Sequence, residues 1–244
     1  MKTVGIIGAL DTEITLLKLH LKDTSTSRTA GMAFYSGKLN NIPVVIVKCG
    51  VGKVSAGICA QLLITKYKVG SIINTGIAGA ISPRLKVFDL VVSDDAMYHD
   101  VDLTAFGRVP GALPNMPKAF AANSNMVMAA KNAFSDIING KSDTKAVFHE
   151  GAHIYNGRIA SGDQFISSQE RKDQIEEIAS PLCVEMEGAA IAQACYMNSV
   201  PFVIIRAISD NADDSGQETY NFNETEAAEM SAALVEKMLL FLEE

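Results

Sequence analysis

Cys183-Val184-Glu185-Met186-Glu187-Gly188-Ala189-Ala190 changes character halfway along. From Leu182 to Met186 apolar and polar residues alternate, the period of a strand. From Gly188 onward, small residues rich in alanine follow, as in a helix packed closely on a neighbour. A strand running directly into a helix is a unit of an α/β fold. Two glutamates two positions apart leave the strand end on the same side, where open α/β sheets place their ligands. Acidic side chains are rarely buried unless paired or used. The stretch is therefore either a solvated strand end with salt-bridged glutamates or part of a site, and local sequence leaves both open.

Outward from it, the composition bounds the answer. The 244 residues suffice for a full core in one α/β domain spanning 1–244, and 48% of them are apolar. No apolar run reaches the roughly 18 residues a membrane helix needs. Met1–Gly8 holds one basic residue and a short apolar run, which predicts a strand rather than a signal peptide. Cys49, Cys59, Cys183 and Cys195 sit in apolar surroundings without a C-x-x-C pair, as expected of reduced core thiols in a cytoplasmic protein. A net charge of −7 offers no electrostatic basis for nucleic-acid binding. These properties point to a small-molecule partner.

Val4–Gly8 reads as a buried strand, followed by a helix that Asp11 or Thr12 can cap. Glu13 then lies in the first turn. It either helps the helix start or stands as a carboxylate at the mouth of a cleft. Met32–Leu39 and Ile42–Cys49 read as a hairpin across Asn40-Asn41. Gly50-Val51-Gly52-Lys53 lacks the Ser or Thr after lysine that a P-loop needs, and Ser55 stands where a dinucleotide fingerprint has its third glycine. It predicts a tight turn into a helix over Lys53–Tyr67. Ser71–Asn74 reads as a strand ending in Thr75–Ala80, whose glycines allow a close backbone approach to a ligand or a strained turn, and Val87–Ser93 as a strand running into the acidic stretch Asp94–Asp102. Metal ligation by those acids and His99 is conceivable, but a hydrogen-bonded loop is the commoner outcome.

Arg108–Pro117 is rich in Pro and Gly, with apolar Val109, Leu113 and Met116 in need of cover, which suggests a subunit contact. A helix over Ser124–Ile138 and a polar turn at 139–144 follow. His149-Glu150-Gly151-Ala152-His153 matches the zinc-protease spacing, but that chemistry needs both histidines on one helix face and a third ligand. Gly151 weakens a helix, the flanks 146–148 and 154–155 look like strand, and His20 and His99 lie elsewhere. Arg158–Ser161 reads as a strand, Ser168–Ile178 as a surface helix, Val200–Ile208 as an apolar strand, and Glu224–Leu242 as a closing helix. Arg206 within that apolar strand needs a buried acidic partner, for which Glu185 and Glu187 are the candidates. Asp210 sits at the same strand's carboxyl end.

Taken together, GIIGALDTEITLL (5–17), VGKVSAG (51–57), INTGIAGA (73–80), YHDVDLTAFG (98–107), SGDQFI (161–166), VEMEGAAIAQ (184–193) and VPFVIIRAISDNAD (200–213) resemble the 5′-methylthioadenosine/S-adenosylhomocysteine nucleosidases of the nucleoside phosphorylase superfamily. The likeness covers nearly the whole chain in the family's order. It implies an α/β fold, a single three-layer α/β/α domain around a central mixed sheet. The implied reaction is hydrolysis of the adenine–ribose bond, without cofactor or metal.

Carried over by motif, the resemblance makes Glu13 the base that activates water and Asp210, held by Ser209, the acid toward N7 of adenine. Glu187 would grip the ribose hydroxyls with Met186 beneath the sugar, and Arg206 would fix Glu187 and the water site, with Glu185 beside them. Phe165 would stack on the base while the backbone of Phe165 or Ile166 reads its edge. Ala9 and Gly79 would line the cleft by backbone, either Tyr220 or Phe222 would pack on the ribose, and Val51, Leu103 and one of these aromatics would hold the alkylthio end. Phe106 and Pro114 would reach a neighbour's pocket, implying a homodimer. The resemblance also separates hydrolase from phosphorylase, because the family's phosphate-binding arginines have no counterpart beside Glu13 or in Asn74–Ala80. Related adenine-nucleoside hydrolases acting on aminodeoxyfutalosine or 5′-deoxyadenosine, or a purine nucleoside phosphorylase, are the alternatives. Ile77 departs from the serine of many family members, and 124–159 is longer than usual.

Overall fold

A computed structural model describes residues 2–141 and 147–242. Its mixed sheet turns about β5 (Ser71–Ala80), which pairs with three neighbours. Residues Ser71–Asn74 run parallel to β1 (Val4–Gly8), Ile72–Gly79 run parallel to β10 (Phe202–Asp210), and Gly79–Ala80 lie antiparallel to β9 (Cys183–Glu185). Beyond β1 the sheet continues through β4 (Ile42–Lys48), β3 (Met32–Leu39) and β2 (Lys22–Thr29). On the other side β10 meets β6 (Leu90–Tyr98), β6 meets β8 (Ile154–Ser161), and β8 meets β9, so the path returns to β5. A short β7 (Phe120–Ala121) adds to β6. Five strands thus close on themselves, and the parallel β1, β5 and β10 end on one side.

Near-continuous apolar runs explain the inner strands, since β1 and β10 are buried along their whole length. Ile6 of β1 and Ile46 of β4 face the layer of α1 (Asp11–His20), α3 (Ser124–Ile138) and α6 (Gly216–Met238). Ile7 and Val47 face the opposite layer of α2 (Lys53–Thr65) and α5 (Gly188–Met197). A smaller cluster around Ile175 seats α4 (Gln169–Ala179). The Asn40-Asn41 turn is present, with φ of 50° and 66°. Side chains of Asn123 and Ser168 cap α3 and α4.

Several sequence expectations are corrected. The cap position of α1 is Leu10, and neither Asp11 nor Thr12 caps it; the Glu13 carboxylate accepts the N–H groups of Ala9 and Leu10 instead. The glycine-rich 75–80 does not turn but forms the second half of β5, because β10 pairs with it from Thr75 to Gly79 and β9 pairs with Gly79 and Ala80. Asp94 and Asp95 belong to β6, where Asn156 and Arg158 of the adjacent strand satisfy them. The last helix begins at Gly216, eight residues before the predicted start. Strand β2, polar and exposed along the sheet edge, carries no apolar period to announce it. The predicted turn at 139–144 and the flank at 146 fall in part outside the described residues. His149 to His153 is not helical, so the H-E-x-x-H residues do not share a helix face. His149 stacks on Phe88 at 3.7 Å and pairs with Glu226 at 2.7 Å, while the His153 ring lies 3.6 Å from Asp89.

Candidate active site

A cleft of about 420 Å³ opens where β1, β5, β9 and β10 end. Its wall carries Glu13, Glu185, Glu187 and Asp210, all buried, and, among the described residues, no lysine, arginine or histidine.

Glu13 enters from the first turn of α1. Its Oε2 accepts from the N–H of Ala9 at 2.5 Å and of Leu10 at 3.0 Å, and its Oε1 from Ile77 at 3.0 Å. Three backbone donors fix the carboxylate without side-chain entropy. Burial raises its pKa, against the pull of Arg206 and these N–H groups. A base held partly desolvated yet hydrogen-bonded is tuned toward neutral pH.

Arg206 is the fully buried cation behind the wall. Its Nη2 bonds Glu185 directly and Asn74 Oδ1 at 2.7 Å, and its Nη1 donates to the Thr75 carbonyl at 3.2 Å. Glu13 and Glu187 stand 3.8 and 3.6 Å from the guanidinium. Glu185 also accepts the Ser161 hydroxyl and the N–H groups of Glu187 and Gly188, so it fixes the turn from β9 into α5. Glu187, at that turn, takes one N–H from Gly52 at 2.9 Å and otherwise faces the cleft. Burial, and then the charge of Glu185, push its pKa up to about 8.

Asp210 closes the opposite end. Its Oδ1 accepts the Ala212 N–H and its Oδ2 the Ser209 hydroxyl, both at 2.8 Å. Asn223 of α6 holds the Ser209 carbonyl at 3.0 Å. Burial raises the Asp210 pKa, against the pull of the Ala212 N–H and the Ser209 hydroxyl, and so shifts the group toward its protonated form. Phe165 and Tyr220 meet edge to face at 5.4 Å over the cleft, and Met186 and Ile166 line it between them.

Of the residues singled out from sequence, the structure brings Ala9, Glu13, Val51, Gly79, Phe165, Ile166, Glu185, Met186, Glu187, Ser209, Asp210 and Tyr220 to this wall. Arg206 stands behind it. Leu103, Phe106, Pro114 and Phe222 lie away from it in the single chain; Phe106 and Phe222 are 82% and 89% exposed. Gln164, Gln217 and Asn221 line the cleft and were missed. Gln217, Tyr220 and Asn221 have helical spacing, a signal hidden by the polar sequence around them.

The model of the phosphorylase superfamily matches residues 3–240. The 5′-methylthioadenosine/S-adenosylhomocysteine nucleosidase of Staphylococcus aureus is 40% identical over 237 residues, covering 97% of this chain and 98% of that protein. The crystal structure of the Neisseria meningitidis nucleosidase of that name, in complex with methylthio-immucillin-A, superposes with a TM-score of 0.92 at 36% identity, over 99% of this chain and 100% of the other. The futalosine hydrolase of Helicobacter pylori gives 0.89 at 30% identity, over 99% and 98%.

Proposed function

The chain belongs to the phosphorylase superfamily, and from that premise we propose that it hydrolyses the N-glycosidic bond of 5′-methylthioadenosine and S-adenosylhomocysteine, giving adenine and the thioribose product. The observation that carries this reading is a cleft walled by four buried carboxylates and no basic side chain. A phosphate beside Glu13 would meet a carboxylate and no free basic side chain on the wall, whereas a water there meets a base. Arg206 is committed behind the wall to Glu185, Asn74 and Thr75. Hydrolysis suits these groups better than phosphorolysis.

Breaking an N-glycoside builds positive charge on the sugar and negative charge on the leaving purine. Glu13 takes a proton from the attacking water, and protonated Asp210, oriented by Ser209 and the Ala212 N–H, gives one to N7. Glu187 accepts the ribose hydroxyls and Met186 lies beneath the ring. Phe165 stacks on the base, and the Phe165–Ile166 backbone reads its edge. Tyr220, with Val51, bounds the 5′ substituent. The exposed Phe106, and Val109 in the Pro- and Gly-rich segment that follows it, support a homodimer in which Phe106, Pro114 and Leu103 complete the neighbouring cleft. No helix among the described residues is long and apolar enough to cross a membrane, and the four cysteines are free and buried, which agrees with a cytoplasmic enzyme.

The test is adenine release from methylthioadenosine in phosphate-free buffer. Wild type is expected to turn over, with Glu13→Gln and Asp210→Asn each slowed at least about 100-fold. Turnover only after phosphate is added would make the protein a phosphorylase. Binding without turnover in either buffer would leave it a sensor or assign another substrate.

A further inference from the structure

Outside the cleft, one cluster of charges joins two loops that line it. Val51 and the Gly52 N–H face the sugar-side carboxylate Glu187, while Gln164, Phe165 and Ile166 belong to the loop on the base side. Between them stand Lys53, Asp100 and Asp163. The Lys53 ammonium lies 2.5 Å from Asp100 Oδ2 and 3.7 Å from Asp163 Oδ2. The Lys53 N–H donates to Asp163 Oδ1 at 2.8 Å, and the Asp163 N–H donates to Asp100 Oδ2 at 2.9 Å. Side chains of Lys53 and Asp100 are 23% and 14% exposed, so solvent screens that pair less than an ordinary surface pair, while Asp163 is 50% exposed. Gly52, at φ 100°, brings the turn so close that an added Cβ would meet Asp163 Oδ1 at 3.1 Å.

We propose that Lys53, Asp100 and Asp163 tie the 50–53 turn to the 162–166 loop and thereby position Glu187, making Lys53 and Asp163 positioning residues for the cleavage. Glu187 has a single hydrogen-bond donor to its side chain among the described residues, the Gly52 N–H, with Arg206 farther off at 3.6 Å. The aim of that carboxylate therefore follows the placement of Gly52. Lys53 is the next residue, anchored at both backbone and side chain to the loop that carries the base contacts. One ammonium shared by two carboxylates from separate elements fixes a distance that neither loop fixes alone. The consequence for catalysis rests on the proposed function; the tie itself does not.

Two readouts separate these. Backbone amide exchange is measured for wild type, Lys53→Met and Lys53→Arg. Kinetics with methylthioadenosine are measured for the same proteins, for Asp163→Ala and for the double variant. In Lys53→Met the Gly52 amide should exchange at least about 10-fold faster while Ile72 and Ile73 of β5 keep their protection, and Lys53→Arg should restore most of it. KM should rise about 10-fold in Lys53→Met and in Asp163→Ala with kcat changed less than about 3-fold, and the double variant should be no worse than the poorer single. Unchanged Gly52 exchange, acceleration spread equally into β5, or multiplying effects in the double variant would each overturn the tie. Absence of turnover by wild type would overturn the proposed function instead, and the exchange data would still decide the tie.

Discussion

Arg206 bonds Glu185 directly, whereas Glu187 stands 3.6 Å from the same nitrogen. The guanidinium therefore serves the carboxylate that builds the β9–α5 turn, and leaves the one that faces the cleft less neutralised. With Glu13 at 3.8 Å, three buried carboxylates share one cation.

Removing that cation should be severe. Arg206→Met fills similar volume but leaves three buried acids without a counter-charge, and breaking a buried pair costs about 3–5 kcal/mol. Urea titration at pH 8 is expected to show a loss of that order, smaller at pH 5, where the acids can take up protons. An equal loss at both pH values would mean that packing, not charge, is what Arg206 supplies.

The same crowding sets a pH dependence of stability. Glu187 has a folded pKa raised from 4.5 to about 8, by burial first and by Glu185 second. A carboxyl raised on folding binds more protons in the native state, so its stabilisation is complete below pH 4.5 and is lost as pH climbs through the folded value. Wild type should therefore lose stability between pH 5 and 8. Glu187→Gln should lose less and exceed wild type at pH 8, although its turnover falls. Parallel curves for the two proteins would refute the assignment.

Tyr220 and Phe222 could not be ranked from sequence, because the polar stretch Gly216–Asn223 concealed the first two turns of α6. The structure places Tyr220 on the cleft, edge to face with Phe165, and Phe222 at 89% exposure. Tyr220→Ala should raise KM by about 5- to 10-fold, in line with the loss of an aromatic contact. Phe222→Ala should leave KM within about 2-fold, as for an exposed side chain distant from the substrate. The reverse order would move the ribose contact to the other aromatic.

What the sequence made legible follows from which forces are local. Alternation in Leu182–Met186 and the apolar run of β10 announced the strand ends that carry Glu185 and Asp210, because burial imprints a period. The two-residue turn at Asn40-Asn41 was legible through the backbone freedom of those asparagines. Strand β2 was not, since its residues KDTSTSRT gain order only by pairing with β3. The glycines of 75–80 left a strained turn open, although β10 and β9 pair along them and make a strand. Ser161, Asn74 and Asn223, which hold Glu185, Arg206 and Ser209, left no local signal: each acts on a residue at least 14 positions away.

Gly76 is where this crowding is least forgiving. It pairs in register with Arg206, and a Cβ there would overlap Arg206 Nη1 and the Glu13 carboxyl. Neither can yield easily, because Arg206 is bound to Thr75, Asn74 and Glu185, and Glu13 to three backbone N–H groups. The Gly76 N–H is itself held by Ser231 at 3.2 Å, so the strand cannot simply retreat. Gly76→Ala should cost about 2–4 kcal/mol by chemical denaturation, the range of overpacking with loss of a buried charge pair. The fraction that still folds should lose turnover, since Glu13 must move. Gly57→Ala is the control: in α2, with open space around the added methyl, it should be neutral or stabilise by up to about 1 kcal/mol. If both substitutions behaved alike, the contact of Gly76 with the Glu13–Arg206 pair would not be what requires glycine there.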